Sequence, residues 1–403
     1  MDDSMTSETT ECNLSTSERL PLAGLLALAT SGFITILTEA LPAGLLPQMG
    51  SSLNVSDAMV GQLVTLYAVG SLVAAIPLTS ATQGWRRRRL LLLAIGGFAV
   101  VNTVTAVSTS YVLTLVARFL AGVSAGLLWA LLAGYASRMV APALQGRAIA
   151  VAMVGTPLAL SFGIPLGTLL GTVVGWRYTF GIMTVLTVGL LGWVVAAVPD
   201  FPGQGQGRRL TLRHVFLMPG VRTILSVTLL FVLAHNILYT YIAPFLLQVG
   251  MGGRVDMVLL VFGLTALVGI WLIGARIDHW LRALVLASIA LFVIAGCTLG
   301  FAGTSPIAIY IGAGLWGLAF GGAATLFQTA SARAAGEGAD IAQSMIVTVW
   351  NAAIAGGGII GGLLLDHLGT TVIPWAATVL LLCALMIVVM ASGSGFTRMP
   401  RNG

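Results

Sequence analysis

The chain has 403 residues, 58% of them hydrophobic and only 8% charged, and carries a formal net charge of +6. Soluble domains carry about 25% charged residues, so this composition excludes a water-facing surface and divides the length into membrane spans instead. A bilayer core takes about 20 apolar residues per helix, and with short loops roughly twelve spans fit. The positive excess does not mark a nucleic-acid partner, because the basic residues, all of them Arg, lie in short loops between apolar runs rather than on one face. Cys12, Cys297 and Cys383 are far apart and lack metal-ligand or redox spacing, so neither a metal nor a cofactor is expected.

From the N-terminus, the first 18 residues hold five acids and eight Ser or Thr, with no basic start and no cleavage site. Residues 1–19 read as a disordered cytoplasmic tail. Apolar runs long enough to span follow at about 20–46, 58–81, 90–108, 111–134, 147–171 and 178–198, the first half at 20–198. Residues 199–220 are Gly-rich, polar and basic, and read as a cytoplasmic linker. Six further runs, at about 221–247, 256–275, 282–301, 305–330, 341–365 and 371–392, make a second half at 221–392, and 393–403 is a short cytoplasmic tail. With both termini inside, sixteen arginines fall in cytoplasmic segments and two, Arg177 and Arg254, fall outside. That asymmetry is what the positive-inside rule expects, and a miscounted span would scramble it. The architecture expected is all-α, with twelve transmembrane helices in two pseudo-symmetric six-helix halves.

One offset relates the halves. Gly122 and Gly126 in span 4 map onto Gly317 and Gly321 in span 10, since 317 − 122 = 195. The same 195 carries Gly163 and Gly167 to Gly358 and Gly362, and Trp85 and Arg87 to Trp280 and Arg282. A duplicated unit of this kind suits a transporter with its site between two halves.

Two charges lie inside spans. Glu39 precedes Pro47, at the outer end of span 1, by 8 residues, and Arg118 follows Tyr111, at the outer end of span 4, by 7. At about 1.5 Å per residue both sit roughly 10–12 Å deep, where a lone charge costs at least about 2.5–3.5 kcal/mol. A carboxylate held against a guanidinium stays ionised, and one parted from it takes up a proton more readily. The pair is therefore either a proton switch or a static contact that fixes helix packing. Pro42 removes a helical hydrogen bond and frees the Thr38 carbonyl, opening a path beside the acid or simply bending the helix. Glycines at 163, 167, 171 and 175, and again near 358 and 362, suit close packing across the interface between halves. Mid-span polar and aromatic residues, Tyr67, Trp129, His235, Asn236, Tyr239, Gln328, Trp350 and Asn351, are candidates for a substrate cavity that takes an amphipathic ligand. Packing accounts equally for any one of these rings, and His235 reads either as titratable or as a neutral hydrogen-bonded ring.

The segment from Arg118 to Gly126 resembles the RxxxGxxxG motif of span 4 in drug:proton antiporters of the major facilitator superfamily. Gly163-Ile-Pro165-Leu-Gly167 is similar to the span-5 antiporter motif, and Tyr239-Thr-Tyr241-Ile-Ala-Pro244-Phe resembles a stretch of the twelve-span drug and sugar efflux branch. One motif departs from that pattern. The 2–3 loop, which in the family carries an Asp, reads Thr-Gln-Gly-Trp-Arg-Arg-Arg-Arg at 82–89, while the matching 8–9 loop keeps Asp278. The resemblance implies a proton-coupled exporter in the cell membrane, acting as a single chain on a small molecule, with Glu39 and Arg118 in coupling. Facilitated or symport uptake of a sugar or metabolite is the alternative. A membrane enzyme is disfavoured, because the spans contain no HExxH, Walker A or GxSxG pattern.

Overall fold

The computed structural model describes residues 20–203, 210–301 and 305–391, and Phe396. The tails expected at 1–19 and 393–403, Phe396 apart, and linker residues 204–209 lie outside the described residues. The first half contains α1 (Leu22–Gly44), α2 (Leu46–Leu53), α3 (Asp57–Ala81), α4 (Arg87–Val107), α5 (Tyr111–Arg138), α6 (Gln145–Met153), α7 (Gly155–Leu158), α8 (Ile164–Val173) and α9 (Trp176–Ala197). A short α10 (Leu212–Leu217) lies in the linker. The second half contains α11 (Val221–Thr240), α12 (Ile242–Gln248), α13 (Val255–Phe301), α14 (Pro306–Phe320), α15 (Ala323–Ala335), α16 (Ala339–Leu368) and α17 (Val372–Met390).

Local signals set these ends. Ser56, Ser110, Thr211 and Ser305 each accept a hydrogen bond from a backbone N–H three residues on, capping α3, α5, α10 and α14. Ten helical runs among the described residues are long and apolar enough to cross a membrane. Gly252–Phe301, with 50 residues, and Pro306–Leu368, with 63, each exceed the roughly 20 residues of one crossing. Trp280 leaves helical geometry at φ −123°, ψ 23°, and the turn Gly336–Gly338 parts α15 from α16. Each long run therefore holds two crossings, and the total is twelve.

Buried apolar side chains gather in two clusters, one almost wholly within each half. The repeat is visible in the packing. A side chain at Gly122 would collide with the backbone of Tyr67 and Ser71, and one at Gly317 with the backbone of Phe262. Since 67 + 195 = 262 and 122 + 195 = 317, the α3 to α5 contact and the α13 to α14 contact are copies of one another.

The halves close on each other at the arginine-rich end. There α5 is buried without a break from Ala130 to Ser137, and α16 from Ala339 to Val347. Beyond Val347 burial in α16 falls to Ala353, Gly357 and Gly361, the stripe that faces α11. The linker is fastened to this closed end. Arg87 N–H donates to the Phe201 carbonyl at 2.9 Å, Tyr135 Oη donates to the Pro199 carbonyl at 2.6 Å, and Arg86 Nε meets Asp200 at 2.6 Å. Desolvation works against the Asp200 charge, but the bonds from Arg86 and Arg88 outweigh it and hold this carboxyl below the usual carboxylate range.

Candidate functional site

Side chains of α3, α4, α5 and α9 gather on α1 or against its arginine partner just before Pro42. Pro42 has no N–H, so the Thr38 carbonyl loses its helical partner. Arg118 of α5 supplies the replacement: its Nη2 donates to the Thr38 carbonyl at 2.5 Å and to the Glu39 carbonyl at 3.2 Å. The guanidinium is fully buried, with its carbon 5.2 Å from the Tyr67 ring centre and 6.0 Å from that of Phe180. Electron-rich ring faces favour a cation there. Tyr67 Oη donates to the Thr35 carbonyl at 3.2 Å, and Asn102 Nδ2 donates to Thr38 Oγ1 at 3.1 Å. This turn of α1 is thus held by α3, α4 and α5 together.

The expected contact between Glu39 and Arg118 therefore takes a different form. Among the described residues no ion pair joins the two side chains. One guanidinium nitrogen, Nη2, serves main-chain oxygens, because a carbonyl freed by proline inside a dry bundle must find a donor. The Glu39 carboxyl lines the cavity between the halves. This cavity, partly open to solvent, spans about 640 Å³ of unfilled space. Glu39, Ser71, Trp129 and Thr156 line it from the first half, and Gln328, Trp350 and Asn351 from the second, with aliphatic residues between them. Glu39 is the one charged residue in that lining. The wall combines one carboxyl, two indoles, two amides and two hydroxyls, a chemistry suited to a ligand with both a ring and polar groups.

Of the eight residues expected in the cavity, Trp129, Gln328, Trp350 and Asn351 line it. Tyr67 lies against Arg118 instead. His235 is buried in an aromatic nest, stacked on Phe320 with ring centres 3.5 Å apart. Its Nδ1 accepts a hydrogen bond from Trp316 Nε1 at 3.1 Å, so that nitrogen carries no proton and the ring is neutral in this arrangement. Tyr239 stacks on His235 and is half-exposed, and Asn236 Nδ2 donates back to the Val232 carbonyl at 2.8 Å. Ser71, Thr156 and Asn102 escaped sequence reasoning. Only Asn102 carried a signal, as a lone amide inside an apolar run.

The glycine stripes require a correction. They do not pack across the interface between halves. Gly163, Gly167 and Gly171 admit Phe33, Leu37 and Leu41 of α1 and Leu45 just beyond it, all within the first half. In the second half Gly357 meets Asn236 and Gly361 meets Tyr241, while the Gly358 carbonyl accepts from Tyr241 Oη at 2.6 Å. The reason lies in the repeat, which places α8 on α1 and its counterpart α16 on α11. Before Pro165 the backbone passes through one π-helical segment, Ala159–Gly163, as is usual where a helix in a functional region bends. Asp278, from the turn between the two crossings of α13, reaches the first half and accepts from the Gly146 N–H at 2.6 Å.

The family model described as Major Facilitator Superfamily matches residues 28–339 of this chain. A chloramphenicol efflux pump of Mycobacterium tuberculosis is 30% identical over 355 residues, which is 84% of this chain and 85% of that protein. A purine ribonucleoside efflux pump of Shigella dysenteriae is 28% identical over 360 residues, covering 87% of this chain and 90% of that one. Among solved structures, the human organic anion transporter MFSD10 superposes with a TM-score of 0.74 at 17% identity, over 92% of this chain and 98% of that one. The E. coli fucose:proton symporter gives 0.70 at 17% identity, over 93% and 98%.

Proposed function

Because the chain belongs to the major facilitator superfamily, and is accordingly a transporter and not an enzyme, we propose that it exports a small amphipathic molecule in exchange for protons by alternating access. The observation that carries this reading is the position of Glu39. It is the single charged group lining a cavity shared by both halves, and its own main chain is held by Arg118 three residues before Pro42. Proton occupancy of that carboxyl and the placing of this turn of α1 are thereby coupled through one residue. A charged carboxylate facing the cavity favours water and a polar or cationic ligand, whereas its protonated form permits a drier, closed cavity. The relatives that export chloramphenicol and purine ribonucleosides support the outward direction. The arginine asymmetry supports a cell-membrane protein with both termini cytoplasmic, and both sets of cavity residues come from one chain, which supports action as a monomer.

The test uses purified protein in proteoliposomes with an imposed pH gradient, and chloramphenicol and a purine ribonucleoside as probes. Wild type is expected to move at least one probe against its gradient. Glu39→Gln is expected to lower gradient-driven movement about tenfold or more, as when a proton-carrying group is removed, while still reconstituting. Gradient-driven transport in Glu39→Gln equal to wild type would remove Glu39 from coupling.

A further inference from the structure

Two acid-centred contacts bridge the halves at the closed end, and the internal repeat relates them. In the first, Asp278 accepts from Gly146 N–H at 2.6 Å and Arg147 N–H at 3.2 Å, both in the first turn of α6. Arg333, at the end of α15, donates to the same carboxylate at 2.9 Å. In the second, Asp340 in the first turn of α16 meets Arg87 Nη2 at 3.1 Å and Arg138 Nη2 at 3.0 Å. Arg87 also donates to the Gln83 carbonyl at 2.9 Å.

Subtracting 195 takes Arg333 to Arg138, Asp278 to Gln83 and Asp340 to Gln145. Both contacts are thus built from a loop residue, an arginine ending a helix, and the first turn of the facing helix. The first has Asp in the loop, at 278, and Gln at the helix start, at 145. The second has Gln in the loop, at 83, and Asp at the helix start, at 340. Asp and Gln have changed places across the interface between halves. The 2–3 loop, four arginines long and lacking an acid, thereby finds its carboxylate in the opposite half.

We propose that Asp340 is the transposed acid of a second clasp, and that it holds the arginine-rich end shut by gripping Arg87 and Arg138. Because of the exchange, both acids belong to the second half and their inter-half donors belong to the first. The clasp is buried, with Arg87 and Asp340 side chains 1% and 2% exposed. It is also incompletely bonded: Asp340 Oδ1, Arg87 Nε and Nη1, and Gln83 Oε1 have no hydrogen-bond partner among the described residues. A dry ion pair with bare polar atoms gives specificity of fit rather than net stability, and opening to water satisfies every one of those atoms. Such a contact closes in one arrangement yet can be broken in each cycle. The inference rests on the fold, not on proton coupling or on the substrate.

The experiment requires no substrate. A single cysteine is placed at Thr329, which is fully buried in the closed end, in a chain whose native cysteines are replaced. A membrane-impermeant maleimide is then applied from the arginine-rich side. Asp340→Gln is expected to raise the labelling rate about tenfold, as the balance moves toward the form open at that end. The double variant Gln83→Asp/Asp340→Gln, which returns the acid to the loop beside Arg87, is expected to restore slow labelling. An unchanged rate in Asp340→Gln would overturn the clasp. Fast labelling in the double variant would overturn the equivalence of the two positions. Should Asp340→Gln fail to fold because it strands two arginines, the double variant decides: a folded, slowly labelled protein supports the transposition and an unfolded one refutes it.

Discussion

Arg118 shows what a membrane interior demands of a charge. Its guanidinium lies near two rings and donates to two carbonyls of α1, so part of the cost of burying it is offset by contacts that include the carbonyl Pro42 leaves without a donor. Lysine keeps the charge but loses the planar fork. Both carbonyls are met by the one nitrogen Nη2, so what lysine lacks is the delocalised guanidinium near Tyr67 and Phe180, in place of which it brings a compact, more strongly hydrated ammonium. Arg118→Lys is therefore expected to reconstitute yet lose proton-driven transport about tenfold or more, since a more strongly hydrated ammonium is harder to bury beside those rings. Transport by Arg118→Lys at the wild-type rate would mean that charge alone suffices. Depth and sign of these two residues were readable from their distance to the span ends. That the arginine would choose carbonyls over the carboxylate was not, because the choice depends on the rotation of α1 about its own axis.

At the scale of helices, the repeated RxxxGxxxG positions set how closely crossings approach. Gly126 faces the backbone of Ser71 and Ala75, and Gly321 faces that of Ala266, so any side chain there pushes backbone from backbone. Gly126→Leu is expected to lower thermal stability in detergent, with a cost of about 1–3 kcal/mol from overpacking. Gly189, with nothing near its added Cβ, gives the control: Gly189→Ala is expected to be neutral or slightly stabilising. Equal melting temperatures for Gly126→Leu and Gly189→Ala would refute the close-approach argument. The helices themselves were legible, since an apolar run must satisfy its backbone within itself. The interruption of α13 at Trp280 falls in the gap expected between 275 and 282, whereas the π-helical segment before Pro165 was not legible, because it answers to neighbours far along the chain.

For the whole molecule, the continuous burial of α5 and α16 at one end and the cavity beyond it describe a transporter closed on its arginine-rich side. Ser344 lies in the sealed stretch and Ile354 in the cavity wall, ten residues or about 15 Å apart along α16. A cysteine at Ile354 is expected to react with a small impermeant thiol reagent supplied from the arginine-poor side, and one at Ser344 to resist it. Equal reactivity at both sites would mean that the end is not closed. The twelve crossings, the duplication and the carbonyl that Pro42 frees beside Glu39 follow from sequence alone, because hydropathy, repeat spacing and a missing N–H act over a few turns of one helix. Tertiary structure alone decided that the glycine stripes pack within a half, that His235 sits among rings away from the cavity, and that Arg87 meets an acid in the opposite half. Each of these joins residues tens to hundreds of positions apart, and such meetings are fixed by how helices rotate and dock once the bilayer has already made them helices.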